Sequence, residues 1–107
     1  MQTFALALYE LITTASRYGA LASEHGRLTV TWRVDALDEG RRLVLDWVEE
    51  RLGSAHEEAS VRRGYDRELI ERALPYVLGG NGRYDLAETE LRCSIELPLA
   101  ARRKGGR

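Results

Sequence analysis

Leu28-Thr29-Val30-Thr31-Trp32-Arg33-Val34 alternates apolar with polar residues, the period-2 signature of a strand with one buried face. The segment before it has the other period. Over residues 2–18, Phe4, Leu8, Leu11, Ile12, Ala15 and Tyr18 recur at helical spacing. At roughly 100° per residue, Thr3, Glu10, Thr14 and Arg17 gather on the opposite side. This predicts an amphipathic helix with a distinct polar stripe, and Gly19 supplies a stop. A helix that must cover a strand's apolar face sets the fold class, and the rest of the chain extends it.

Downstream, Asp38-Glu39-Gly40 is a turn signal and Leu43, Leu45 and Trp47 carry a second strand, so the two strands read as a hairpin with both tryptophans as packing residues. Residues 50–63 show no sustained apolar period and contain Gly53 and Ser54, which predicts a long loop. After Gly64 helical spacing resumes, with Leu69, Ile70, Ala73, Leu74, Val77 and Leu78 on one stripe. Asp66 is the expected N-cap of this helix, and Glu68 with Arg72 supports its exposed face. Pro75 should bend the last turn, and Gly79-Gly80-Asn81-Gly82 ends it. Two strands follow, over 83–88 and 90–97. Leu91, Cys93, Ile95 and Leu97 share one face of the second, and Pro98 closes it. The expected architecture is α+β, a two-layer α/β sandwich in the order α-β-β-(long loop)-α-β-β.

Composition bounds what such a domain does. A chain of 107 residues is at most one domain. Its net charge of −1 excludes a general pull toward nucleic acid or anionic membrane. No apolar run reaches the ~18 residues needed to cross a bilayer, and the N-terminus lacks signal-peptide features; a cytoplasmic location is expected. The single cysteine, Cys93, excludes an internal disulfide and offers no metal-ligand spacing. Within its alternating pattern it reads as a buried, inert thiol. Residues 100–107 read as a basic, flexible tail.

Four blocks carry a resemblance. Leu8-Tyr9-Glu10-Leu11-Ile12-Thr13-Thr14-Ala15-Ser16-Arg17-Tyr18-Gly19-Ala20-Leu21 resembles an N box of pattern L-H-E-L-x-T-N-A-x-K-Y-G-A-L. Trp47-Val48-Glu49 resembles W-x-E, a motif normally followed by x-G-G-P. Arg63-Gly64-Tyr65-Asp66, running into Leu69-Ile70-Glu71-Arg72-Ala73-Leu74, resembles R-G-F-G followed by L-I-E-R-A-L. Cys93-Ser94-Ile95-Glu96-Leu97-Pro98-Leu99 resembles a closing strand. In this order, across residues 4–99, the chain is similar to the ATP-binding domain of HWE-family sensor histidine kinases, of the GHKL group of ATPases. Residues 1–99 are then the histidine-kinase-like ATP-binding domain. It opens at the N-box helix, without the family's preceding strand and the two-helix dimerisation segment that carries the phospho-acceptor histidine. Such a start is expected to leave a sheet edge open to pairing.

The resemblance implies a site for ATP and Mg²⁺ with altered residues. Glu10 matches the conserved acid that would assist the nucleophile, and Arg17 stands where the family has lysine near the phosphates. Tyr9 replaces the family histidine. Thr14 replaces the asparagine that ligates Mg²⁺, a shorter group of different donor geometry. Glu49 matches the acid that accepts from the adenine amino group. Arg51 and Leu52 occupy glycine positions where the backbone turns sharply beside the base, with Gly53 in place of proline. Gly64 and Tyr65 keep the first part of the phosphate loop, and Asp66 replaces its second glycine. As an N-cap, Asp66 would take the amide groups meant for phosphate and repel the triphosphate, at a cost on the order of 4 kcal/mol at about 4 Å.

Taken without the resemblance, Glu10 and Arg17 are solvated residues of a helix face, and Glu49 is an exposed carboxylate at a strand end. His25 and His56 read as surface histidines. The resulting expectation is a two-component signalling module whose ATP binding is weakened or lost. It would act through contacts with a histidine kinase, phosphotransfer protein or response regulator, with dimerisation left open. Two alternatives stand beside it. One is a functional ATP-binding domain that phosphorylates a histidine on a partner chain. The other is a non-catalytic binding protein of the phosphotransfer or anti-sigma kind.

Overall fold

The structure, a computed structural model, describes residues 2–37, 40–52 and 57–99. The basic tail at 100–107, His56, Gly53 and Ser54 lie outside the described residues. Helix α1 spans Gln2–Arg17 and passes through a short 3-10 turn, Ala20–Ala22, into strand β1, Arg27–Leu37, and strand β2, Gly40–Glu50. A helical run follows: α2, Glu57–Glu68; a π-helical turn, Leu69–Ala73; and α3, Leu74–Leu78. Strands β3, Asn81–Leu86, and β4, Glu90–Leu99, complete the described chain.

The four strands form one antiparallel sheet in the order β1-β2-β4-β3. Its register aligns Val30 with Trp47, Trp47 with Cys93, and Cys93 with Tyr84 across all four strands. Side chains alternate faces along a strand, so one face collects Leu45, Trp47, Leu91, Cys93, Ile95, Leu97 and Tyr84. These form a core with Ala7, Leu11 and Ala15 of α1 and Leu69, Ile70 and Leu74 of the helical run. Alanine at two of the three α1 positions in this core leaves little side-chain bulk between helix and sheet. The α+β architecture with helices over a sheet is as expected.

Three local expectations need correction. The loop over 50–63 is shorter than its composition suggests, because α2 already begins at Glu57. Of residues 59–74, Ala59, Arg63, Asp66, Ile70 and Leu74 are buried in steps of three and four, with Leu69 beside them. The helical period is present, but two of its inward positions are charged residues, so an apolar count misses it. Asp66 is therefore not a helix N-cap. It sits in the last turns of α2 with no exposed surface.

Pro75 sits in the first turn of α3. The chain widens into the π-helical turn just before it, and the Leu74 N–H bonds back to the Leu69 carbonyl. This wider spacing takes up the register change around a residue that has no N–H. Gly79 then ends the run in the left-handed region at φ 76°, its N–H on the Pro75 carbonyl at 2.7 Å.

Strands β1, β2 and β4 also run past their expected ends, while β3 begins at Asn81 and stops at Leu86, short of Glu88. Pro98 pairs with Arg42 inside β4 instead of closing it. The pairing of β4 with β3 ends at Glu96–Asn81, so Pro98 lies where β4 has an open side, the setting in which a strand tolerates proline.

Candidate functional site

The polar stripe of α1 is the natural place to look for function, and the structure shows what it faces. Helix α2 lies along it. Thr14 is buried, and its Oγ1 donates to Asp66 Oδ2 at 2.6 Å. One turn earlier, Glu10 Oε1 accepts from Arg62 Nη1 at 3.2 Å. Two side chains of the stripe thus close a seam between the helices. Arg17, at the end of α1, is exposed, as is Tyr9.

Asp66 is electrostatically unusual. Its Oδ1 has no hydrogen-bond partner among the described residues. Burial pushes its carboxyl up to about 6, assisted by the nearby Glu10 charge and opposed by the Thr14 hydrogen bond and by Arg62 and Arg63. A carboxyl held this way is stabilised by protonation. Among the described residues no group of three or more His, Cys, Asp or Glu side chains is placed to hold a metal ion.

Glu49 is also fully buried, contrary to the exposed position its strand end suggested. It shares strand parity with Leu45 and Trp47, which turns it toward the core. Both its oxygens are engaged: Trp47 Nε1 donates to Oε2 at 2.7 Å, and the Ala20 N–H donates to Oε1 at 3.0 Å. The carboxylate therefore ties β2 to the 3-10 turn after α1. Arg51 follows with φ 58°, the one described non-glycine residue in the left-handed region. Its exposed side chain reaches the His25 carbonyl at 3.4 Å. Leu52 packs against the core, with its N–H on the Thr89 carbonyl at 2.9 Å.

Beside the seam lies a cavity of about 440 Å³ between the end of α1, α2 and the β3–β4 turn, lined in part by Tyr18, Leu52, Arg63, Gly64, Arg67 and Tyr84. Gly64 is exposed on its wall, while Tyr65 points to the outer side of α2, half exposed. Arg63 is buried, with Nη1 3.5 Å from Tyr84 Oη. Arg67 donates to the Tyr84 carbonyl at 2.9 Å and its guanidinium stands 5.4 Å from the centre of the Tyr84 ring. Burial raises the Tyr84 phenol well above its ordinary value, so it keeps its proton while its oxygen accepts from Arg63. Aromatic and aliphatic walls thus meet two guanidinium groups and the Glu88 carboxylate, a lining of mixed charge.

The structure thus brings Glu10, Thr14 and Asp66 together and leaves Gly64 on the cavity wall. Arg17, Glu49 and Arg51 stand apart from the seam. Sequence reading missed Arg62, Arg63, Arg67 and Tyr84. For the arginines the signal was the three-and-four spacing of Ala59, Arg63 and Asp66, visible only if charged residues are allowed on a buried face; Tyr84 instead lies on β3, opposite the inward Cys93.

No protein-family model matches the chain. It is similar to the blue-light-activated histidine kinase of Brucella anthropi, 31% identical over 99 residues, covering 92% of this chain and 20% of that protein. Proteins of the same description from Brucella ovis and Brucella melitensis are 30% identical over 94 residues, covering 88% of this chain and 19% of theirs. The chain spans about a fifth of the length of these curated relatives. Over these stretches it is related to histidine kinases. Among the described residues no helix is long and apolar enough to cross a membrane.

Proposed function

We propose that this chain is a two-component signalling module derived from the ATP-binding domain of an HWE-type histidine kinase, with nucleotide binding weakened or lost. In this reading it works through contacts with a histidine kinase, phosphotransfer protein or response regulator. The observation that carries the reading is the seam between α1 and α2. Three of the positions that the resemblance assigns to metal and nucleotide have partners within the protein. Thr14 spends its hydroxyl proton on Asp66, Glu10 is paired with Arg62, and both oxygens of Glu49 have donors.

As arranged, these residues do not fit magnesium–ATP. Thr14 Oγ1 keeps its lone pairs while donating to Asp66, but the residue is buried in the α1–α2 seam, so the helices must part before a metal reaches it. Glu49 has acceptor capacity beyond its bonds from Trp47 and the Ala20 amide, but it is fully buried, so an adenine amino group reaches it only if the chain around it opens. The route to weakened binding differs from the one the sequence suggested. Asp66 does not block an amide cluster at a helix start; it holds the second helix against the first.

The cavity beside the seam keeps the rival reading alive, since Arg63 and Arg67 bring positive charge to a partly aromatic pocket. Isothermal titration of the full chain with Mg²⁺–ATP separates the two. The expected result is no saturable heat at nucleotide concentrations up to about 1 mM, a limit near −4 kcal/mol of binding free energy. Micromolar binding overturns the reading and favours a working ATP-binding domain.

A further inference from the structure

Among the described residues β1 pairs only with β2 and is an edge of the sheet. Edge strands in soluble proteins are usually blunted by lysine, proline, bulges or a short length. β1 carries three charged residues, Arg27, Arg33 and Asp35, but lacks the other devices. It is 11 residues long, contains no Lys, Pro or Gly, and matches β2 one-to-one without a bulge from Arg27–Glu50 to Leu37–Gly40.

Its helix-side face is apolar and only half covered. Leu28 and Val30 pack against the core, whereas Trp32 is 66% and Val34 49% exposed. The helices stop short of the distal half of the hairpin. On the opposite face, the exposed Arg33 and the half-buried Asp35 pair with each other at 3.1 Å.

We propose that β1 is a self-association edge: it pairs antiparallel with β1 of a second copy about a twofold axis at Val34, so that one sheet runs through both copies. A twofold axis normal to the sheet keeps each residue on its own face, so paired positions must share parity. Charge then selects among the allowed registers. An axis at Arg33 sets that cation against itself, which is destabilising. An axis at Trp32 leaves both charges opposite threonines. An axis at Val34 sets Arg33 opposite the partner's Asp35 and Asp35 opposite the partner's Arg33, two ion pairs from one strand. It also sets Trp32 opposite the partner's Ala36 and diagonal to the partner's Val34, so the exposed apolar positions of the two copies cover each other.

Sedimentation equilibrium of the full 107-residue chain, from micromolar to sub-millimolar concentration, tests this. The expected result is a reversible monomer–dimer equilibrium. Arg33→Asp sets two acids against two acids and should weaken the dimer by about tenfold or more, as should Asp35→Arg. The double variant Arg33→Asp/Asp35→Arg restores both pairs in reversed order and should recover the dimer. Far-UV circular dichroism of each variant reports whether the fold is intact, and amide exchange in β1 should slow as concentration rises. A wild-type chain that stays monomeric overturns the proposal; so does a dimer indifferent to Arg33→Asp, or a double variant that folds but fails to recover association.

Discussion

Thr14 Oγ1 and Asp66 Oδ2 meet at 2.6 Å across 52 positions of sequence, and with the Glu10–Arg62 pair this bond ties α2 to α1. The carboxyl at its centre is held up near 6 from a usual 3.8, first by burial. A folded-state value above the unfolded one means that the native protein binds the proton more tightly. Its contribution to stability is therefore fully present below about pH 4 and is lost as pH rises toward about 6.

Asp66→Asn removes that proton linkage while keeping a polar group beside Thr14. Other carboxylates also titrate in this range, so the informative quantity is the difference between variant and wild type. Urea denaturation at pH 4 and at pH 7 should show the variant gaining on the order of 2 kcal/mol relative to wild type at the higher pH. A difference that stays constant with pH would mean that Asp66 titrates as a solvated acid, and the closed seam would then be wrong.

Much of the fold was legible because its parts obey one period at a time. α1 and the alternating residues of β1 and β4 declare themselves through apolar spacing. What stayed hidden is where burial falls on polar residues. Arg63 and Asp66 occupy inward positions of α2, so the helix looked like a loop until Gly64. Glu49 looked like an exposed strand end, although its parity with Leu45 and Trp47 already turned it inward. Strand ends were missed for the opposite reason: Arg41 and Arg42 in the hairpin are exposed on β2, so alternation fades there while the hydrogen-bonded ladder continues. The candidate site follows the same logic. Its members were named in part from the resemblance, but which of them touch depends on a helix start that apolar spacing does not reveal.

Arg51 adopts φ 58° at a position where the resemblance expects glycine. The backbone turn is of the kind glycine makes without strain, but a residue with a Cβ makes it. The left-handed conformation costs roughly 1–2 kcal/mol for such a residue, offset in part by the greater unfolded-state freedom of glycine. Its side-chain bond to the His25 carbonyl is long and exposed and adds little. Arg51→Gly should therefore raise stability by about 0.5–1 kcal/mol, read as a higher urea midpoint at unchanged slope. Loss of stability would show that the guanidinium, not the backbone, governs this turn.

Gly19 sits where α1 ends against the buried Glu49. A Cβ added there would overlap Glu49 Oε1 and lie 2.9 Å from Ala15 Cα. The helix backbone has little room to give, so the carboxylate would have to move and lose the Ala20 amide. A buried charge deprived of a donor is expensive, and Gly19→Ala should destabilise the chain by about 2–4 kcal/mol. Gly64→Ala is the matched control, because its Cβ meets nothing within 4 Å and it stands within a helix. That change should be neutral or stabilising by up to about 1 kcal/mol. The pair of midpoints decides how firmly Glu49 is held. If Gly19→Ala proves as stable as wild type, Glu49 swings aside at little cost and is free to meet a ligand. A large loss means that the acid is a structural tie between β2 and the turn after α1, spent before any nucleotide arrives.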